Sequence, residues 1–461
     1  MRVGLHHLPG GTFSLLAAGG GDAAAIEHLH AGQHSKRMVA LQGVVRLARQ
    51  TAHKDADRVR HAYTLLADVH RDDPAAGEAV MRYPTVASWA MRAMDTLAGS
   101  MPPGGPAEPA ELAGVAAAAA IGSGRRATIE VPIGPEGVTL PSLGRARTPG
   151  ESGFAIVRSG AGEAEIVAGR HRVTVPADPG ADGPGWQGLR RLSAEHRGSR
   201  LDLVVDDQDP HRMPDAARTE RRLTAAELDA WAAHLQPAWT VLVRRHPVVA
   251  AEVRAVVQVL TPMVAPERGT SSGTSKLAFG NIGMSAQPDP HSFAVTLAHE
   301  VQHAKLSAIT DIVRLTEEDD GSRYYAPWRE DPRPLDGLLH GAYAHMAIAA
   351  FWMNERTVGH PAELTLRAHV EFAHWRDATA AAIQVLRRSG RLTPAGELFS
   401  ATMERTVAAM KAETVPDLAR RRAGLAAERH LSRWRLDHGD GAAASPASSA
   451  MNGLTTDARP T

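Results

Sequence analysis

The sequence predicts a mainly α protein that carries a β-rich module, an α+β class, with a long helical region built around one HExxH helix. Three observations predict it. Apolar residues recur at helical spacing from about Arg37 to Leu97, as in Met38, Leu41, Val45 and Ala48. Between about Thr128 and Asp206, short β-branched runs are separated by Gly, Pro and Asp, the pattern of strands and tight turns. After Leu223 the helical pattern returns and holds for most of the remaining chain.

In chain order, the first helices end at the breaker-rich run Met101-Pro102-Pro103-Gly104-Gly105-Pro106, a turn or linker. Strands are expected at 128–133, 154–157, 165–167, 173–175 and 201–205. Thr224 and Glu227, three apart, form a capping box for a helix that runs to about Leu235, before Pro237. The run KLAFGNIGMS at 276–285 reads as an extended strand, and the turn Pro288-Asp289-Pro290 then delivers a new helix. The tail has too few large apolar residues to offset its ordering entropy and is expected to be disordered. These readings give a helical N-terminal region at 1–120, a β-rich module at 121–206, a helical metal-binding catalytic region at 207–436 and a tail at 437–461.

Lys plus Arg and Asp plus Glu both number 51, which removes the simplest electrostatic case for nucleic acid or an anionic membrane as partner. There is no cysteine, so disulfides, thiolate nucleophiles and thiolate-held metals are excluded, and any metal must use His and carboxylate. The N-terminus lacks the basic, apolar and small-residue order of a signal peptide, and the longest apolar stretch, near 112–121, is about half a membrane span. A cytoplasmic location without a membrane partner is therefore expected.

The strongest chemical signal is His299-Glu300-Val301-Gln302-His303. Phe293, Leu297, Val301 and Ala304 fall on one helical stripe, while His299 and His303 project together from another face, one turn apart. Two imidazoles at that spacing chelate one metal ion. With 23 His in the chain, random order would produce the motif roughly 0.07 times, so metal binding is preferred to a solvated helix face. A third ligand is needed, and Glu317, Glu318, Glu330, His340 and His345 are the downstream candidates. The metzincin extension is absent, because Ala304, Lys305 and Leu306 follow His303. His340 is preferred: it follows Pro334 at a helix opening and shares a stripe with Tyr343, Ala347 and Phe351, whereas His345 is read as facing elsewhere.

The stretches FGNIGMS, LAHEVQHAKLSAITDIV and YYAPWREDPRPLDGLLHGAYAHMAIAAFW, between Phe279 and Trp352, carry a resemblance. In the order HExxH, PWRxDPRP, GLLHG, the chain resembles the HExxH-motif peptide-modification proteins of ribosomal peptide natural-product (RiPP) clusters, the 2-oxoglutarate-dependent HExxH-type peptide β-hydroxylases. The resemblance implies a mononuclear Fe(II), 2-oxoglutarate and O₂, and hydroxylation of a β-carbon in a ribosomally synthesised precursor peptide. It implies His299 and His303 as ligands, with His340 of GLLHG as the third. Such an all-His set departs from the usual two-His, one-carboxylate iron site.

The distal carboxylate of 2-oxoglutarate requires a cation, and the planar fork of Arg329 or Arg333 suits it. The alternative is that these arginines pin their own loop by pairing with Glu330, Asp331 or Asp336. Trp328, Tyr324 and Tyr325 are candidates either for a peptide groove or for packing. Glu300 divides two enzyme classes: in a zinc metallopeptidase it is the general base, and in an iron oxygenase it orients ligands or substrate from outside the coordination shell. A third class, a peptide-binding protein with a structural metal, requires a closed ligand set. The histidines at 6, 7, 28, 30 and 34 show no repeating ligand spacing and receive no function, and the β-rich module offers an edge strand for a peptide leader or serves structure alone.

Overall fold

The computed structural model of the chain describes residues 5–102, 105–214, 216–267 and 269–443. It is mainly helical, at 53% helix and 15% strand. The helices α1 (Gly10–Ala17), α2 (Ala23–Gln50), α3 (Ala56–Asp72), α4 (Pro74–Met81), α5 (Pro84–Leu97) and α6 (Leu112–Gly122) precede the strands. Nine strands follow: β1 (Ala127–Pro132), β2 (Val138–Leu140), β3 (Gly144–Ala146), β4 (Phe154–Gly160), β5 (Glu163–Ala168), β6 (His171–Val175), β7 (Trp186–Gly188), β8 (Arg190–His196) and β9 (Ser199–Val205). Then come α7 (Ala225–Arg245), α8 (Pro247–Val256), β10 (Val259–Pro262), β11 (Ser272–Gly273), β12 (Asn281–Met284), α9 (Pro290–Thr310), α10 (Leu335–Glu355), α11 (Ala362–Arg388), α12 (Pro394–Lys411) and α13 (Asp417–Ala443).

The chain divides into two compact units. One comprises Ala31–Pro237 and Val256–Pro290, and the other His6–His30, Ala238–Ala255 and the chain from His291 onward. In the first, β1, β4, β5 and β6 form an antiparallel sheet. The alternation seen in the sequence sets its inward row: Ile129 pairs with Val157, Val157 with Ile166 and Ile166 with Val173, all buried. These side chains join the core that also buries Leu112 to Ala120 of α6, a helix without a charged side chain. Strand is not confined to 121–206, because β9 and β12 both flank β10 in parallel within a five-stranded sheet, and parallel neighbours require a long crossover.

Three local expectations change. Thr224 and Glu227 do make the reciprocal capping box, with Glu227 N donating to Thr224 Oγ1 at 3.2 Å and Thr224 N to Glu227 Oε2 at 2.8 Å. The helix continues through Pro237 to Arg245, because Leu235, Ala238, Trp239 and Leu242 keep an apolar face fully buried, and that packing outweighs the missing N–H. Of the run 276–285, only Asn281–Met284 is strand. Residues 437–443, placed in the tail by the sequence, belong to α13 with a non-helical Gly439 inside it, and the rest of the expected tail lies outside the described residues. Among the described residues, no helix is long and apolar enough to cross a membrane.

In the second unit α9 is buried on nearly every side, polar residues included: Glu300, Gln302 and Lys305 are each at most 1% exposed. Lys305 Nζ donates to the Gly19 and Gly20 carbonyls at 3.1 and 2.9 Å and to Glu252 Oε1 at 2.7 Å. Burial pushes the lysine down and the glutamate up, and their mutual attraction opposes both shifts. Replacing Lys305 by Met leaves Glu252 charged, buried and short of its partner. The expected loss is about 3–5 kcal/mol of unfolding free energy in urea titration, and Lys305→Met with Glu252→Leu should recover much of it.

Candidate metal centre

The polar face of α9 meets α10 through four histidines. His299 and His303 converge so that their Nε2 atoms lie 3.2 Å apart. The His303 ring lies parallel to His340 at a centroid distance of 6.0 Å, and His299 meets His345 edge-on at 4.8 Å. These pairings make the two helices antiparallel, since the later residue of one faces the earlier residue of the other. His299 and His303 are partly exposed, whereas His340 and His345 are each 8% exposed.

His345 was read from the sequence as facing elsewhere; the structure brings it into the cluster. Five residues on α10 rise about 7.5 Å and four on α9 about 6 Å, so an antiparallel pair matches His340 to His303 and His345 to His299 in one register. His345 Nδ1 donates to the Gly341 carbonyl at 2.8 Å, which leaves Nε2 of the neutral ring as an acceptor. Its ring is held between Trp328, stacked at 4.3 Å, and Trp375 at 4.6 Å. Trp375 is fixed in turn by Nε1 donating to Glu371 Oε2 at 2.7 Å. Gly341 explains the last residue of GLLHG: a Cβ there would collide with the Trp328 indole at Cζ2, Cε2 and Nε1.

Burial favours the neutral form of His299, His303 and His345. Burial pushes His299 below its ordinary value against the pull of Glu300, and pushes His303 well below it, assisted by His299, His340 and His345. Burial also lowers His345 well below that value, with His299 and His374 acting in the same direction and the Gly341 carbonyl against them. A neutral imidazole is the form that ligates a metal. Two nitrogens bound to one ion at about 2.0–2.1 Å, with tetrahedral or octahedral angles, lie roughly 2.9–3.4 Å apart. The separation of 3.2 Å between the two Nε2 atoms falls in that range, so the pair fits an ion.

The remaining candidates separate clearly. Glu300 is 1% exposed with Oε1 3.9 Å from His299 Nε2, beside the pair. Among the described residues, two other groups bring three His or carboxylate ligand atoms within 4.8 Å of one another, and the pair with His340 is not one of them. Glu317, Glu318 and Glu330 are exposed; Glu318 lies near Arg314 at 3.5 Å and Glu330 near Arg433 at 4.0 Å. Arg329 and Arg333 both bind Asp331, at 2.6 and 3.1 Å. Burial alone would raise the Asp331 carboxylate, and these two arginines outweigh it and hold the group below its ordinary range. Tyr324 and Tyr325 are buried, and Tyr325 is packing: its hydroxyl meets His430 Nδ1 at 2.8 Å and its ring meets Trp434.

Compared with known proteins, the chain matches no family model and no curated protein.

The seat of Trp328 on Gly341 makes a direct prediction. Gly341→Ala displaces the indole, frees the His345 ring and is expected to weaken Zn(II) binding by about 10–100-fold, as loss of groups that orient ligands does. Competition titration against a chromophoric chelator measures this, and unchanged affinity would show that the aromatic wall does not position the cluster.

Proposed function

We propose that the chain is an Fe(II)- and 2-oxoglutarate-dependent hydroxylase that acts on a β-carbon of a ribosomally synthesised precursor peptide in the cytoplasm. The observation that carries the metal is the convergence of two neutral imidazoles at 3.2 Å on a buried helix. The choice of iron and 2-oxoglutarate rests on the order of the three motifs between Phe279 and Trp352. When bound, iron with 2-oxoglutarate and O₂ supplies the oxidation: a peptide C–H becomes C–OH while 2-oxoglutarate leaves as succinate and CO₂.

The chain's own residues then have separate tasks. His299 and His303 hold the metal, with His340 and His345 beside them on α10 as the candidates for a third ligand that closes in on the ion. Glu300, buried beside His299, orients ligands or substrate from outside the coordination shell without needing to exchange a proton. Arg329 and Arg333, both bound to Asp331, are the guanidinium pair assigned to the distal carboxylate of 2-oxoglutarate. A zinc metallopeptidase is the second reading, favoured by one observation: the Glu300 carboxylate lies where a general base for water is needed, 3.9 Å from His299 Nε2.

Adding Fe(II) and then 2-oxoglutarate to metal-free protein under anaerobic conditions is expected to give the visible charge-transfer band of a chelated 2-oxo acid, absent in His299→Ala. Asp331→Asn releases the two arginines and should tighten 2-oxoglutarate binding; weaker binding would mean that they only pin the loop. No band, with tight Zn(II) binding and peptide cleavage, would make the protein a hydrolase.

A further inference from the structure

A second cluster gathers where one end of the same two helices meets other segments: His291 on α9 and Glu355 on α10 are joined by Arg245 at the end of α7, His246 just after it and His360 just before α11. Glu355, the last residue of α10, is fully buried and is met by three histidines and an arginine. His360 Nε2 lies 2.9 Å from Oε2 and His291 Nε2 3.4 Å from the same oxygen, while His246 Nε2 lies 2.9 Å from Oε1. His291 sits in the first turn of α9, eight residues before His299, which places this cluster about 12 Å along the helix from the HExxH pair.

We propose that His291, Glu355 and His360 form a second cation site, for a divalent transition metal such as Zn(II), Mn(II) or Fe(II). One ligand atom from each lies within 4.8 Å of the others, and two imidazoles with one carboxylate are the donor set that these ions share. His291 Nε2 is sealed from solvent and lies 3.4 Å from Oε2, an ion-pair contact without the alignment of a full hydrogen bond, so a cation bound between them would displace only a weak contact. The rings of His291 and His360 stand nearly perpendicular, 5.4 Å apart, and both present nitrogen to Oε2.

The surroundings orient the carboxylate as outer groups do at metal sites. His246 is buried, stacks on Phe351 at 4.3 Å and holds Oε1, so the cation would bind at Oε2 in competition with Arg245. Arg245 also reaches Oε2, at 2.6 Å, and its fixed charge both neutralises Glu355 in the metal-free protein and opposes a divalent ion. Arg245 therefore sets the affinity of the site. This inference does not depend on what the HExxH pair does.

The test is titration of chelator-treated, full-length protein with Co(II), read by its visible ligand-field bands and by the metal-to-protein ratio. Two equivalents are expected in the wild-type chain. His303→Ala should lose one, His360→Ala and His291→Gln the other, and Arg245→Gln should tighten the second equivalent about tenfold. His291 is partly exposed, so His291→Gln serves if His360→Ala does not fold, as judged by circular dichroism. A single equivalent in the wild-type chain, removed by His303→Ala, overturns the proposal, as does a second equivalent that survives both His291→Gln and His360→Ala. Loss of a band in His360→Ala but not in His303→Ala leaves this site standing and removes the metal from the HExxH pair.

Discussion

The second unit is organised by the burial of α9. A helix enclosed on nearly all sides must find partners for each polar side chain it carries, because an unpaired buried charge costs several kcal/mol, on the order of 3–5. Lys305 meets this demand with Glu252 and two backbone carbonyls, and Gln302 points an amide toward the same glutamate at 3.3 Å. On the opposite side the histidines meet other imidazoles and indoles, with the carboxylates of Glu300 and Asp336 nearby. One side of the helix is therefore closed by an ion pair, and the other is left as neutral nitrogen.

The antiparallel partner α10 turns this into a site with direction. Its residues match α9 in register, so His303 faces His340 and His299 faces His345, and the N-terminal end of α9 comes to the C-terminal end of α10 at Glu355. Neutral imidazoles and a buried carboxylate thus follow one another along a single helix pair, and Arg245 reaches the carboxylate from the end of α7. The loop before α10 adds the wall: Trp328 stacks on His345 only because position 341 lacks a side chain. A motif that reads as GLLHG in sequence is, in three dimensions, a ligand candidate followed by the seat of an indole.

Much of this was legible, and the rest was hidden for definable reasons. The i, i+4 pair, the capping box at Thr224 and the five β-branched runs are local patterns, and each has its expected place. Short strands such as β2, β3 and β7, each three residues long, have no period to detect. Pro237 misled because local propensity is a weak force beside the burial of Leu235, Trp239 and Leu242. His345 was missed because spacing on one helix was judged alone; its place depends on the direction of the facing helix, which no single-helix pattern encodes. The Glu355 cluster draws on residues from 245 to 360, so no window of sequence contains it.

The two enzymatic readings share one physical claim, that His299 and His303 hold an ion together, and they part only over what is done with it. Neutral imidazoles at 3.2 Å are equally the geometry of a hydrogen bond between two rings, one donating and one accepting. The decisive measurement is therefore a crystal structure of protein grown with Fe(II) or Zn(II), with diffraction data at the metal absorption edge. The account predicts an anomalous peak about 2.0–2.1 Å from both Nε2 atoms. A metal-loaded crystal in which the two rings stay in direct contact, with no peak between them, would contradict it.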